Sequence, residues 1–119
     1  MSLVPIQHLF AATSAIAAVL ILTMQPVSAA DNKELDLAQE RGRALVTKSC
    51  AGCHAVERSG ASPRADAPAF RRLGRRYPVE ALEEALGEGI LSGHPDMPEF
   101  VFDGEEVGAI IAYLKGIQE

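Results

Sequence analysis

The only two cysteines of this 119-residue chain lie in one pentapeptide, CAGCH, at residues 50–54. Cys50 and Cys53 are spaced i and i+3, so on a helical turn both thiols face the same side, and His54 follows directly. Without its uncharged first thirty residues the chain leaves a domain of about 90 residues. A domain of this size buries a modest core and usually needs a disulfide, a metal or a cofactor to stabilise it. We therefore expect the fold to be organised around these three residues and whatever they hold.

The first thirty residues contain no charged side chain, whereas all 11 basic and 16 acidic residues follow Ala30. Leu9–Met24 is almost wholly apolar, and the small residues of VSAA, Val27–Ala30, have the spacing that a signal peptidase reads. These features predict a signal peptide over 1–30 and a single domain over 31–119. An uncleaved membrane anchor is the alternative, since about 20 apolar residues span a bilayer. In both cases we expect an exported, periplasmic domain, tethered to the membrane if the leader is retained.

Two stretches with helical periodicity each begin with a capping box. Asp31, as N-cap, and Glu34 predict a helix over about 32–49, with CAGCH at its C-terminal end. Asp103 and Glu106 predict the last helix of the chain. The residues expected to face the core are Leu35, Ala38, Gly42, Leu45, Val46 and Ser49 in the first helix, and Val107, Ile110, Ile111, Leu114 and Ile117 in the last.

The middle of the chain is less regular. Residues 55–68 are rich in Gly, Ser, Pro and Ala and are predicted to form a loop. The segment AFRRLGRR predicts a short helix, and Pro78 is placed in the first turn of another. The inward-facing residues of that helix are expected to be Val79, Leu82, Leu86 and Ile90. Two prolines forbid a regular helix in LSGHPDMPEFVF, and no stretch alternates with a period of two, so the sequence predicts an all-α fold.

CAGCH has three interpretations. Two exported cysteines often pair, but in thioredoxin-like proteins such a motif opens a helix after a strand, and here it closes a helix. A zinc site of Cys50, Cys53 and His54 lacks a fourth ligand, and adjacent residues are poorly directed toward one tetrahedral ion. Covalent haem attachment accounts for every residue, because both thiols can form thioethers with haem vinyl groups and His54 can bind the iron. The sequence favours one haem c attached through Cys50 and Cys53, with the dithiol and the zinc site as alternatives.

The second axial position of such a haem determines its chemistry, because a filled position favours electron transfer and an open one allows ligand binding. Met97 is the only methionine after the predicted leader. It lies outside any helical stripe, it is flanked by prolines, and enough chain separates it from His54 to reach the opposite face of a haem. The common alternative for a methionine is to fill a gap in the core. We predict His54 and Met97 as the axial iron ligands and interpret His94 as an exposed loop residue.

From about Leu35 to Ile117 the chain resembles the small class I monohaem cytochromes c. The matching pieces are the first helix with Gly42 ahead of CAGCH, the PAF segment, the loop GHPDMPEF, and a final helix that ends in AYLKGI. The chain departs from many members of the family in having Val46 where they carry an aromatic residue, and in having no tryptophan.

The resemblance implies an all-α, cytochrome c-like fold of three to four short helices with long loops wrapped around a covalently bound haem. It implies that Gly42 packs against an aromatic residue of the last helix, here Tyr113. It also implies that a proline carbonyl accepts a hydrogen bond from the axial histidine. Pro68 matches the family proline best, and Pro63 is a weaker match.

For function, we expect an electron-transfer protein that shuttles single electrons between exported redox partners and is not an enzyme. A dedicated cytochrome subunit of an oxidoreductase complex is the alternative, and a haem gas binder or peroxidase is less favoured. No feature of the sequence predicts binding to nucleic acid.

Charge is unevenly placed along the predicted domain. Six Arg and one Asp fall between Arg58 and Arg76, whereas from Glu80 onward there are ten acidic residues and a single Lys. Three of the acidic residues, Asp96, Glu99 and Asp103, crowd the methionine loop. They predict a negative rim that would steer a basic redox partner, with ordinary solubility as the alternative interpretation.

Overall fold

The computed structural model describes residues 28–89 and 96–119, and within them the chain is helical and has no strand. The described residues form three α-helices: α1, Ala29–Cys50; α2, Glu83–Glu88; and α3, Gly104–Ile117. Two short 3-10 helices, Phe70–Arg75 and Val79–Leu82, lie between α1 and α2, and 51–69 forms turns and loop. The predicted all-α fold is confirmed. The predicted leader falls mostly on 1–27, outside the described residues, and stays a prediction. His94 also lies outside the described residues, and its assignment to an exposed loop stays a prediction.

Helix α1 begins earlier than the sequence predicted. Ser28 is the N-cap in place of Asp31, and its side chain accepts a hydrogen bond from Ala30 N at 3.3 Å. The Asp31 carboxylate reaches back to the backbone N–H of Ser28 at 3.1 Å, which completes the capping box. The prediction was wrong by three residues because Ala29 and Ala30 are strong helix formers and Ser28 precedes them as a good cap.

Helices α1 and α3 pack directly on one another around Gly42, which is buried. A Cβ atom built on Gly42 would lie 2.9 Å from Tyr113 Cβ and would overlap the carbonyl oxygen of Ala109. The close approach implied by the resemblance is therefore present. The five residues predicted for the inward face of α3 are all buried, and Ile110 and Leu114 are each only 2% exposed.

The prediction for the first helix fails only at its N-terminal end, because the five predicted residues that follow Leu35 are all buried or half-buried. Val46 is 1% exposed, whereas Leu35 is 50% exposed and does not face the core. Helix α1 has 22 residues and α3 has 14. At 1.5 Å per residue α1 is longer by about 12 Å, so its first turns extend past the part that packs on α3.

The middle segment packs against α3. Val79 and Leu86 are buried and Leu82 is half-buried, as their spacing predicted, whereas Ile90 lies outside the described residues. Pro78 lies one residue earlier than expected, as the N-cap of the 3-10 helix Val79–Leu82. Leu86 O accepts a hydrogen bond from Phe102 N at 3.0 Å, which ties α2 to the segment before α3.

The first 3-10 helix is held to the C-terminal end of α3 by Gln118. Its Nε2 donates to the carbonyl of Phe70 at 3.0 Å, and its Oε1 accepts from the backbone N–H of Gly74 at 2.7 Å. The same Nε2 donates to Leu114 O at 2.7 Å. One side chain thereby fixes the position of Phe70, which belongs to the site described next.

Candidate functional site

The end of α1 arranges CAGCH as a single tight turn. Cys50 is the last residue of the helix, and its carbonyl oxygen accepts hydrogen bonds from the backbone N–H groups of Cys53 and His54 at 3.1 and 3.0 Å. These two bonds continue the helical hydrogen-bond pattern past the helix end. Cys50 and Cys53 consequently both border one cavity.

That cavity has a volume of about 570 Å³. Its walls are mainly apolar and come from α1, both 3-10 helices, α2, α3 and the segment that carries Met97; they include Val46, Leu73, Leu82, Leu86, Ile110 and Leu114. The volume lies within the range of cofactor pockets, and buried apolar walls with a few polar groups are typical of them. Cys50, Cys53, His54 and Met97, which were singled out from the sequence, all line it.

The His54 ring is oriented from behind. Its Nδ1 lies 2.8 Å from the carbonyl oxygen of Pro68, and because a carbonyl can only accept, Nδ1 carries the proton. In the neutral ring Nε2 then has a free lone pair, the form that binds a metal. The Phe70 ring packs beside it with 4.8 Å between ring centroids, and Phe70 N donates to Ala55 O at 2.9 Å. Pro68, and not Pro63, thus provides the carbonyl expected behind His54.

Met97 reaches the cavity from a segment without helix. Its side chain is half-buried, and the neighbouring Asp96 and Pro98 also line the cavity. A thioether sulphur, an imidazole nitrogen and two thiols on the walls of one cavity form a donor set that fits a haem iron and its vinyl groups. His94, which the sequence predicts to be an exposed loop residue, lies outside the described residues.

The alternative interpretations of CAGCH receive no geometric support from the described residues. Both cysteines are free thiols. Burial raises the pKa of the Cys50 thiol to about 11, which keeps the free thiol uncharged at neutral pH. Over 28–89 and 96–119, no three side chains of His, Cys, Asp or Glu are grouped as a metal site would require.

Two polar groups near the site were not predicted from the sequence. Arg64 joins Asp66 and Asp96, with contacts of 2.9 and 2.8 Å. The hydroxyl of Tyr113 donates to Val56 O at 2.8 Å, which links α3 to the chain just after His54. The Arg64–Asp96 and Tyr113–Val56 contacts have no sequence signal, since their partners lie far apart in the chain and follow no periodic pattern.

An all-α domain with this cavity and this donor set is a c-type cytochrome domain. The family model described as cytochrome c oxidase, cbb3-type, subunit III matches residues 37–114, from within α1 to near the end of α3. The chain belongs to this family, and the family implies haem c as the cofactor and electron transfer as its role. No curated protein and no solved structure matches the chain.

None of the helices in the described part of the chain combines the length and the apolar character needed to cross a membrane. The longest of them, α1, is largely solvent-exposed over its first turns.

Proposed function

We propose that this domain carries single electrons between exported redox partners by means of one haem c with histidine and methionine as axial ligands. The observation that carries the proposal is that Cys50, Cys53, His54 and Met97 line one cavity, with the His54 ring held by the Pro68 carbonyl. When bound, haem c supplies an iron centre that gains and loses one electron.

Each of the chain's own residues then has a defined task. Cys50 and Cys53 hold the cofactor as thioethers at the end of α1. His54 offers Nε2 to the iron while Pro68 accepts the proton of Nδ1, which fixes the ring and increases the basicity of the ligand. Met97 offers a soft thioether, which favours ferrous iron and raises the potential relative to two histidines. With both axial positions filled, the domain would act as a carrier and not as an enzyme.

Replacing Met97 with Leu tests the proposal. We expect the ferric protein to lose the charge-transfer band of methionine bound to iron, and the ferrous protein to bind CO at native pH. We also expect the potential to fall by on the order of 0.1 V, a fraction of the range of roughly 0.8 V that axial ligands cover. Optical spectra, CO titration and potentiometry measure these changes.

Val101→Ala is the matched control, because Val101 is in the same segment but is 65% exposed and does not line the cavity. It should leave the spectrum and the potential unchanged. A Met97→Leu spectrum identical to that of the wild type would refute the ligand assignment. Rapid CO binding by the wild-type protein would instead favour a gas-binding or peroxidase function.

A second candidate is a dedicated cytochrome subunit of an oxidase complex. The description of the matching family, which names a subunit of a cbb3-type oxidase, favours it. Co-purification of the chain with a catalytic oxidase subunit in detergent would support this candidate. Purification as a monomer without detergent, together with electron exchange with separate donors and acceptors, would support the diffusible carrier and a leader that is cleaved after export.

The acidic residues near Met97 make the partner question testable. Asp96, Glu99 and Asp103 are all exposed, and Asp96 is in addition paired with Arg64 at 2.8 Å. If this rim steers a basic partner, the second-order rate of electron exchange should fall by about tenfold or more as ionic strength rises, because salt screens the attraction. Stopped-flow reduction at increasing salt concentration measures this rate. A rate independent of ionic strength would refute steering and would indicate that the acidic residues serve only solubility.

A further inference from the structure

Arg64 lies between the two segments that carry the proposed iron ligands. Its backbone N–H donates to the carbonyl of Cys53 at 3.1 Å, which anchors Arg64 to the CAGCH turn. Its Nη2 donates to Asp96 Oδ2 at 2.8 Å, and Asp96 directly precedes Met97. One residue therefore connects the His54 side of the cavity with the Met97 side.

The guanidinium is directed toward Asp96 by its own loop. Arg64 Nε donates to Asp66 Oδ1 at 2.9 Å, and Ala67 N donates to Arg64 O at 3.1 Å, so that 64–67 forms a compact turn. Arg64, Asp66 and Asp96 all line the cavity. We call these three residues the Arg64 clasp. The hydrogen bonds to Asp96 and Asp66 raise the pKa of Arg64, which favours its charged form.

We propose that the Arg64 clasp is a positioning device that holds the segment 96–102, which carries Met97, against the cavity. It thereby keeps Met97 on the iron in competition with other ligands. The inference depends on the proposed function, because it needs Met97 as a ligand. An exogenous ligand reaches the iron only when the segment that carries Met97 moves away from the cavity. A contact that forms only while this segment is closed over the cavity favours the closed state by some factor. It lowers the apparent affinity for the exogenous ligand by the same factor. Partly exposed ion pairs of this kind correspond to about a two- to fivefold preference each.

Imidazole binding to the ferric holoprotein is the direct test. We expect Arg64→Ala and Asp96→Asn each to bind imidazole about two- to fivefold more tightly than the wild type. Because both variants break one contact, the double variant should gain no more than the stronger single variant. Arg41→Ala is the matched control, since Arg41 forms an exposed pair with Glu105 at 3.1 Å between α1 and α3.

The pair of variants separates positioning from charge. Arg64→Ala removes a positive charge and Asp96→Asn removes a negative one. A through-space effect of charge on the iron would therefore change the imidazole affinities of the two variants in opposite directions. Loss of the clasp changes both affinities in the same direction. A purely structural contact would lower the denaturant midpoint without changing the affinity for imidazole, as expected for Arg41→Ala.

The outcomes also separate this inference from the proposed function. If the wild type shows the methionine-to-iron charge-transfer band and either variant binds imidazole as the wild type does, or the two shift in opposite directions, the clasp is refuted and the function stands. If the wild type lacks the band, Met97 is not the ligand, and both are refuted.

Discussion

A chain prepared without haem is expected to lose most of its helical structure. The cavity of about 570 Å³ lies at the centre of the domain, between helices α1, α2 and α3. An empty apolar cavity costs roughly 24 cal/mol per Å³, which here amounts to on the order of 10 kcal/mol. That is comparable to the whole free energy of unfolding of a small domain, about 5–15 kcal/mol.

The double variant Cys50→Ala/Cys53→Ala, which cannot form thioethers, is the means to test this expectation. Its far-UV circular dichroism should show far less helix than the wild-type holoprotein, and it should not unfold cooperatively. Added haem should restore part of the helix signal, because His54 and Met97 remain to bind the iron. A haem-free chain with the helix content and the cooperative melting of the holoprotein would show that the polypeptide core is sufficient.

Replacing Gly42 with Ala is expected to destabilise the holoprotein by about 3 kcal/mol. The new Cβ would overlap the carbonyl oxygen of Ala109 and lie 2.6 Å from its carbonyl carbon. These are backbone atoms of α3, so relief requires the whole helix to move away from α1. Ile110 follows in the same helix and is 2% exposed, so such a movement also opens the core.

Gly108→Ala is the matched control for that prediction. Gly108 is also inside α3, but a Cβ there would have no atom within 4 Å. Alanine should therefore stabilise α3 by about 0.5–1 kcal/mol, through its higher helix propensity alone. Denaturant unfolding of both holoproteins, followed by circular dichroism, gives the two free energies. Equal effects of the two substitutions would show that the α1–α3 crossing is not tightly packed.

The parts of the fold that could be predicted are those encoded locally. The capping box of Asp103 and Glu106 and the apolar stripe of α3 are contained in one short segment, and the structure has both. CAGCH is similar, since one pentapeptide specifies where two thiols and an imidazole lie. Met97 was singled out by elimination, because few other side chains after the leader could bind a haem iron; its place on the cavity wall agrees with that prediction, and its role awaits the experiment above.

The parts that could not be predicted depend on which segments meet. Leu35 fits the apolar stripe of α1, but whether a stripe is covered depends on how far α3 extends along it. The contact of Arg64 with Asp96 joins two irregular loops 32 residues apart, and oppositely charged residues are too common in this chain for one pair to be selected. The prediction of where α1 begins was wrong for a different reason. Two overlapping capping boxes can each start the helix, and local helix propensity favours the earlier one.

Those overlapping boxes give α1 a second possible N-cap. Asp31 closes the box that begins at Ser28, and in the sequence it can also open one with Glu34. If the predicted leader is removed after Ala30, Ser28 is lost with it, yet the shortened chain still begins with a residue suited to the N-cap and an acid three positions later. Cleavage would then move the start of the helix by three residues and leave its far end, where Cys50 lies, unchanged.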